Sequence, residues 1–258
     1  MKADISSILA LDFDGVLCDG LREYFETAWR TYCQIWCPNN PTPSEEVAAS
    51  FYRLRPVIET GWEMPILVKA LIDGVSELEI LSNWGEIAQA ILLEDKLVSA
   101  NIAFKLDQIR DEWISTDLSS WLSLHQFYPG VVEKMQSLQG SKLPPMIITT
   151  KEGRFVSQLL QQQGVEMPAK LIIGKESQRP KHQILKELIA ATQAKIWFVE
   201  DRLKTLQLVQ QQPNLASVKL YLADWGYNTA SEREHARHTP GIELISLTAF
   251  TQNNFPTC

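Results

Sequence analysis

The segment ISSILALDFDGVL, residues 5–17, carries the strongest indication of the fold in this sequence. The apolar run from Ile5 to Phe13 ends in acidic residues and a glycine, which predicts a buried β-strand. Because side chains alternate along a strand, Asp12 and Asp14 lie on one side and the residue between them points to the other. Gly15 permits a sharp backbone turn directly after them. The stretch therefore predicts a strand that presents two carboxylates at its C-terminal end.

From residue 128 onward, short apolar runs alternate with helical periodicity. The predicted strands are 146–149, 171–173, 196–199 and 218–222, and the predicted helices are 131–138, 152–163, 181–191 and 203–211. Repeated strand–helix units predict a parallel sheet that is covered by helices on both faces. The expected fold class is therefore α/β, with three layers.

The segment between these two regions has a different pattern. Helical periodicity covers 21–36, 63–73, 83–94 and 99–115, and Ser44 is the predicted N-cap of a further helix. A block of about 110 residues is far too long for a crossover loop, so we interpret it as an inserted helical domain. Six of the eight tryptophans lie in it, and we expect them to fill helix–helix contacts; the alternative is that one or two line a substrate pocket. They are Trp29, Trp36, Trp62, Trp84, Trp113 and Trp121.

The amino-acid composition argues against nucleic acids and membranes as binding partners of this protein. With 24 basic and 31 acidic side chains, the 258-residue chain has a formal net charge of −7, which argues against broad binding to nucleic acid or anionic lipid. No apolar run approaches the ~20 residues that span a bilayer, and the N-terminus does not have the pattern of a signal peptide. Four unevenly spaced cysteines are not a disulfide framework. We therefore expect a cytoplasmic protein, a monomer or a homodimer, with no nucleic-acid or membrane partner.

The predicted strands carry polar residues at their carboxyl ends, where ligand sites of parallel sheets form. Two pairs of carboxylates at one sheet edge would repel each other, and a hard divalent cation such as Mg²⁺ resolves this repulsion with oxygen ligands. A hydroxyl and a lysine beside the metal would bind an anion. The metal, the carboxylates, the hydroxyl and the lysine together favour phosphoryl transfer. Each feature alone also has a structural explanation, such as a turn or a helix cap. The residues are Asp12 and Asp14, Thr149 and Thr150, Lys181, and Glu200 and Asp201.

These residues resemble a known family. The segment Asp12-Phe13-Asp14-Gly15-Val16-Leu17, with Thr149, Lys181 and the pair Glu200-Asp201, resembles the four motifs of the haloacid dehalogenase-like hydrolase superfamily. The segment Tyr128-Pro129-Gly130-Val131 resembles the point where phosphoglycolate phosphatase-like members re-enter the core after a helical cap. The resemblance covers residues 5–18 and 128–230. It implies a three-layer Rossmann-like core domain, 1–18 with 128–258, and an inserted all-helical cap domain, 19–127.

The resemblance also implies roles for the residues. Asp12 would attack phosphorus to form an aspartyl-phosphate, and Asp14 would protonate the leaving alkoxide and then deprotonate the hydrolytic water. The implied Mg²⁺ ligands are the Asp12 carboxylate, the Asp14 backbone carbonyl and Asp201, with Glu200 binding directly or through another ligand. The implied phosphate-binding residues are Gly15, Thr149, Thr150 and Lys181, and Lys175 is the alternative to Lys181.

The chain departs from the commonest pattern of the family in its fourth motif. The commonest fourth motif has an acid where this chain has Thr205, and the Glu200-Asp201 pair resembles β-phosphoglucomutase-like members instead. Asp14 argues against a dehalogenase, because members that cleave carbon–halogen bonds need neither a metal nor a second aspartate there. The expected function is a Mg²⁺-dependent phosphatase for a small phosphorylated metabolite. The alternatives are a phosphomutase of the same superfamily and a non-catalytic ligand-binding protein.

Overall fold

The computed structural model describes residues 7–141, 143–252 and 255, and the chain forms two compact units. The first unit, the α/β unit, consists of the N-terminal segment up to Asp19 and the segment from Gln126 onward. The second, the helical unit, is Gly20–His125. Asp19, Gln126 and Phe127, which the sequence analysis assigned to the cap, thus lie in the α/β unit. The predicted first strand begins at Ile5, which lies outside the described residues.

The helical unit contains five helices within its described residues: α1 (Leu21–Trp36), α2 (Glu45–Leu54), α3 (Glu63–Ile72), α4 (Glu77–Glu94) and α5 (Ser99–Ser123). The predicted bounds of α1 are confirmed, and the Ser44 hydroxyl caps α2 by accepting from the Val47 amide. Helices α4 and α5 are longer than predicted. Each contains a kink with non-helical backbone angles, at Asn83 in α4 and at Asp117 in α5, where the apolar periodicity is interrupted.

The tryptophans of the helical unit mostly fill its core. Four of the six are buried, and Trp121 also donates its indole N–H to the buried carboxylate of Glu23, which pairs with Arg110 of α5. Residues of α1, α5 and the loop at 41–43 line an open pocket of about 600 Å³, and Trp29 and Trp113 contribute to its wall. The burial of these four tryptophans agrees with the predicted role in the core of the unit, and Trp29 and Trp113 also line this pocket.

The α/β unit is built on a six-stranded parallel sheet with the order β5-β4-β1-β6-β7-β8. Strand β1 lies in the middle of the sheet, between β4 and β6, and Leu11 is in register with Ile147 on one side and Val199 on the other. Strands β2 and β3 form a separate antiparallel ladder. The strands are β1 (Ser7–Leu11), β2 (Cys18–Asp19), β3 (Gln126–Phe127), β4 (Pro145–Ile148), β5 (Ile172–Ile173), β6 (Lys195–Glu200), β7 (Lys219–Ala223) and β8 (Ile242–Ile245).

Helices flank the sheet and complete its core. On one face, Ala10 of β1 and Phe198 of β6 pack with apolar side chains from the helices that follow β5, β6 and β7, such as Leu185 and Leu206. The architecture is the predicted Rossmann-like α/β core with a helical insertion. The helices are α6 (Val131–Ser137), α7 (Gly153–Gln162), α8 (Lys181–Thr192), α9 (Leu203–Gln210), α10 (Ala230–His238) and α11 (Leu247–Thr251).

The predicted elements of this unit match the observed ones to within one or two residues at each end. No bounds were predicted for five of the described strands and α-helices of this unit: β2, β3, β8, α10 and α11. Among the described residues, no helix has the length and apolar character that a membrane span requires.

Candidate active site

The carboxyl ends of three adjacent strands bring the predicted site residues to one edge of the sheet. Within the sheet, the chain passes from β1 to β4 and β5 on one side of β1 and then crosses to β6 on the other side of β1. Open α/β sheets bind ligands at such a switch point. Asp12 directly follows β1, Thr149 directly follows β4, and Glu200 ends β6 with Asp201 after it.

Three carboxylates converge at this edge and form what we call the acidic cluster: Asp12, Glu200 and Asp201. One carboxylate oxygen from each lies within 4.8 Å of the other two. The Asp12 amide donates to the Val199 carbonyl at 2.9 Å, which continues the β1–β6 pairing and places Asp12 beside Glu200. The three residues are 7%, 1% and 2% exposed, respectively. Buried like charges this close require a positive partner.

Lys181 supplies part of that positive charge. It is the first residue of α8, and its Nζ lies 2.8 Å from Asp12 Oδ1 and 2.7 Å from Glu200 Oε2. Asp12 Oδ1 also accepts from the Phe13 amide at 2.7 Å, so the orientation of the carboxylate is fixed. The alternative lysine, Lys175, is exposed in a 3₁₀ turn, Lys175–Ser177. Three carboxylates against one ammonium leave two formal negative charges, which suits a divalent cation with oxygen ligands.

The environment of the acidic cluster raises the pKa values of its three carboxyl groups. Burial and the charge of Glu200 raise the pKa of Asp12 to about 7, although Lys181 lowers it. Burial and the charge of Asp12 raise the pKa of Asp201 to about 6, and burial also raises the pKa of Glu200. Burial acts to lower the pKa of Lys181, but the charges of Asp12 and Glu200 outweigh it, so the ammonium form persists. Protons therefore compete with any cation for these oxygens near neutral pH.

Asp14 lies beside the acidic cluster, and its carboxylate has a different partner. Strand β1 ends at Leu11, so Asp14 belongs to the turn after it, where Lys151 Nζ lies 3.3 Å from Asp14 Oδ1. The Thr149 side chain is buried, and its hydroxyl accepts from the Lys151 amide at 3.1 Å. Thr150 is exposed, and no hydrogen bond among the described residues joins its side chain to the cluster. Lys151 could have been identified from the sequence, because it is a basic residue directly after the two threonines at the end of a predicted strand.

Gly15 is required by both conformation and space. Its φ is +83°, and a Cβ built on it would lie 2.2 Å from Asp201 Oδ2. A larger residue would therefore be strained and would displace the Asp201 carboxylate. The predicted sharp turn is present, and it packs directly against the acidic cluster.

The loop at 224–229, between β7 and α10, supports Asp201 and was missed by the sequence reasoning. The Tyr227 amide donates to Asp201 Oδ2 at 2.7 Å, and Asn228 Nδ2 donates to the Asp201 carbonyl at 2.9 Å. A Cβ on Gly226 would lie 2.3 Å from Asp201 Cβ and 2.5 Å from the Gly15 carbonyl oxygen. The position of the loop could have identified it from the sequence, because it follows a predicted strand at the same edge of the sheet.

The chain matches one protein family over most of its length. A family model for haloacid dehalogenase-like hydrolases matches residues 7–208. No curated protein shows significant sequence similarity to the chain.

Solved structures share the fold. A predicted phosphoglycolate phosphatase from Haemophilus somnus is 16% identical with a TM-score of 0.55, and the match covers 87% of this chain and 88% of that one. A predicted phosphatase from Clostridium acetobutylicum is 12% identical with a TM-score of 0.58, covering 95% and 96%. A haloacid dehalogenase-like family protein from Streptococcus pneumoniae is 13% identical with a TM-score of 0.53, covering 94% and 95%. The TM-scores show a common fold, and at these low identities the similarity shows the fold alone.

Proposed function

Because this chain belongs to the haloacid dehalogenase-like hydrolase family, we propose that it hydrolyses a small phosphate monoester in a Mg²⁺-dependent reaction through an aspartyl-phosphate on Asp12. The observation that carries the proposal is the acidic cluster at the carboxyl end of β1, paired with Lys181 at 2.8 Å from Asp12. One structural neighbour is a predicted phosphoglycolate phosphatase, which supports the same class of substrate.

The proposed metal ligands are the carboxylates of Asp12 and Asp201 and the backbone carbonyl of Asp14, with Glu200 binding directly or through another ligand. The convergence of three buried carboxylates supports a cation here, since they carry more negative charge than Lys181 neutralises. The ligand set contains oxygen only, which is what Mg²⁺ prefers. When bound, Mg²⁺ would offset the negative charge of the phosphoryl group and of the carboxylates around it.

Asp12 is the proposed nucleophile. Its carboxylate oxygen forms a bond to phosphorus while the bond from phosphorus to the leaving alkoxide breaks. Asp14 donates a proton to that alkoxide and then takes one from the water that attacks the aspartyl-phosphate. Inorganic phosphate leaves, and Asp12 returns to its starting state. The bonds from Lys181 and the Phe13 amide to Asp12 Oδ1 support this role, because they hold the carboxylate in one orientation.

The proposed phosphate-binding residues are Gly15, Thr149, Thr150 and Lys181. The buried position of the Thr149 hydroxyl at the end of β4 supports its part in binding phosphoryl oxygens, and the positive charge of Lys181 supports charge neutralisation. We assign substrate specificity to the helical unit, as the predicted cap. The proposed substrate is a small phosphorylated metabolite.

Hydrolysis of p-nitrophenyl phosphate with and without Mg²⁺ tests the proposed function, followed by a panel of phosphorylated metabolites. We expect metal-dependent release of inorganic phosphate that Asp12→Asn abolishes, with the variant shown to be folded by circular dichroism. Absence of metal-dependent turnover on every phosphate ester of the panel would contradict the proposal.

The Glu200-Asp201 pair favours one second candidate, a phosphomutase, because it resembles the variant found in β-phosphoglucomutase-like members. A mutase would interconvert phosphosugar isomers without releasing inorganic phosphate. Measuring both products from the same sugar phosphate separates the two reactions. Binding of a phosphate ester without any turnover would instead support a non-catalytic member.

A further inference from the structure

One residue of the loop at 224–229 has contacts in two directions. The backbone N–H of Tyr227 donates to Asp201 Oδ2 at 2.7 Å, and its hydroxyl donates to Asp19 Oδ1 at 2.8 Å. Asp19 is the last residue of β2 and of the first segment of the α/β unit. Tyr227 is 5% exposed. A single buried residue, through its backbone N–H on one side and its hydroxyl on the other, therefore joins the acidic cluster to the strand by which the chain leaves the unit.

The same loop also contacts the strand by which the chain returns. Strand β3 pairs with β2 through Cys18 with Phe127 and Asp19 with Gln126, and we call these two strands the connecting ladder. Tyr128, directly after the ladder, has a side-chain hydrogen bond to Tyr227, and its ring packs edge-on against Trp225 with centroids 6.4 Å apart.

Trp225 adds a contact to the segment before the ladder. Its indole N–H donates to the Val16 carbonyl at 3.2 Å. Both ends of the connecting ladder are thus bonded to the loop that binds Asp201.

The loop has little freedom to absorb a displacement. Arg202 Nη1 donates to the Tyr227 carbonyl at 2.8 Å, and the buried Asn228 side chain donates to the carbonyls of both Asp201 and Ala223. Gly226 packs so closely against Asp201 that a Cβ would overlap it. Close-packed, hydrogen-bonded groups of this kind move together, so a change in the position of Asp201 is transmitted through the loop.

We propose that Tyr227 is a positioning residue that couples cation binding at Asp201 to the order of the connecting ladder. The proposal rests on the proposed function, since the cation is the Mg²⁺ assigned there. A cation fixes the Asp201 carboxylate, which fixes the Tyr227 peptide bonded to it and so the hydroxyl bonded to Asp19. Because coupling is reciprocal, an ordered ladder also strengthens cation binding.

Hydrogen exchange of the full-length protein, followed by mass spectrometry with and without Mg²⁺, tests this coupling. In the wild type, we expect Mg²⁺ to slow exchange about fivefold in peptides that contain 16–19 and 126–128, as well as in the peptide that contains 226–228. Tyr227→Phe keeps the N–H bond to Asp201 and removes the bond to Asp19. We expect it to retain the Mg²⁺ effect at 226–228 and to lose it in the connecting ladder.

Tyr221→Phe is the matched control, because it removes one phenol hydroxyl from β7 in the same unit, and we expect it to behave as the wild type. Asp19→Ala removes the acceptor of the same hydrogen bond. If Tyr227→Phe does not fold, the experiment is done with Asp19→Ala instead. An undiminished Mg²⁺ effect on the ladder in both variants would overturn the proposal. A wild type with a Mg²⁺ effect at 226–228 and none in the ladder would also overturn it. A wild type without any Mg²⁺ effect, either at 226–228 or in the ladder, would instead show that the metal site of the proposed function is itself wrong.

Discussion

Single residues set the charge balance of the site. Asp12, Glu200 and Asp201 are buried together, and Lys181 is within 2.8 Å of the first and 2.7 Å of the second. The lysine keeps its charge because the carboxylates stabilise it, and the carboxylates keep part of theirs because of the lysine. Removal of either partner leaves buried charge without compensation, which is costly.

Lys181→Met therefore tests the assignment of the lysine. We expect the turnover number on p-nitrophenyl phosphate to fall by about 10²–10³, the loss typical of removing one group that stabilises charge in the transition state. Lys175→Met is the matched control, because Lys175 is exposed, and its activity should stay within about twofold of the wild type. Equal effects of the two substitutions in steady-state assays would contradict the assignment.

The raised pKa values predict how metal binding depends on pH. With pKa values of about 7 and about 6, Asp12 and Asp201 are mostly deprotonated at pH 8.5 and bind protons progressively as the pH falls, and a bound cation must displace these protons. We expect the affinity for Mg²⁺ to fall as the pH falls, by up to about tenfold per pH unit for each proton displaced. Isothermal titration calorimetry at pH 5.5, 6.5, 7.5 and 8.5 would measure this. A constant affinity over that range would mean that the carboxylates are not the ligands.

Three loops at the carboxyl ends of strands interlock to form the site. The turn after β1 and the loop after β7 both pack against Asp201, the residue after β6, so closely that neither Gly15 nor Gly226 has room for a Cβ. The position of the Asp201 carboxylate thus depends on all three elements. Such sites lose function from small displacements.

Alanine variants of two glycines with nearly equal φ angles distinguish the effect of backbone strain from the effect of a clash between the new Cβ and its neighbours. Gly15 has φ +83° and lies against Asp201, whereas Gly74 has φ +81° with nothing within 4 Å of its would-be Cβ. We expect both alanine variants to lose about 1–2 kcal/mol of stability from the left-handed backbone. Only Gly15→Ala should also lose activity, by about 10²-fold, as an ångström-scale misplacement of the site predicts. Thermal unfolding and steady-state kinetics of both variants measure these effects, and normal activity in Gly15→Ala would refute the packing argument.

The sequence predicts elements well where one local pattern dominates. Helix α1 has continuous apolar periodicity, and β1 is an apolar run that ends in acids, so both are visible without tertiary information. The rule that sites form at the carboxyl ends of parallel strands predicted that Asp12, Glu200 and Asp201 lie close together, and the structure brings their carboxylates within 4.8 Å of one another. Their role in a site stays a prediction.

Other features depend on contacts that have no local signature. The kinks at Asn83 and Asp117 interrupt the periodicity of α4 and α5, and the connecting ladder is too short to show alternation. Support of Asp201 by Tyr227 uses a backbone amide, which every residue except proline has. Residue type therefore gives no indication of it, and only the fold reveals the contact.

For the molecule as a whole, the chain divides into two compact units. All the predicted site residues lie in the α/β unit, whereas the helical unit has its own buried ion pair, Glu23 with Arg110, and its own pocket. Stability of the α/β unit includes the cost of burying the acidic cluster.

Metal-free protein should lose stability as the pH rises from about 4 to about 7. The raised pKa values of Asp12 and Asp201 mean that the folded state binds more protons than the unfolded state in this range, and deprotonation then favours unfolding. Mg²⁺ relieves this repulsion, so we expect it to raise the melting temperature more at pH 8 than at pH 5.5. A concentration of 100 times the dissociation constant stabilises by about 2.7 kcal/mol.

Differential scanning fluorimetry with Mg²⁺ at the two pH values checks this expectation, and Asp201→Asn serves as the control that should lose most of the effect at pH 8. A Mg²⁺ shift that is equal at both pH values, or that persists in the variant, would contradict the linkage.

Covalent phosphorylation of Asp12 underlies the whole proposed mechanism, and acid quenching of the reaction followed by mass spectrometry detects it. With Mg²⁺ and a substrate that turns over, we predict that the proteolytic peptide containing Asp12 gains the mass of one HPO₃ group, and that fragmentation places the group on Asp12. The gain should be absent without Mg²⁺ and in Asp12→Asn. Turnover with no phosphorylated peptide, or with the phosphoryl group on another residue, would contradict the account.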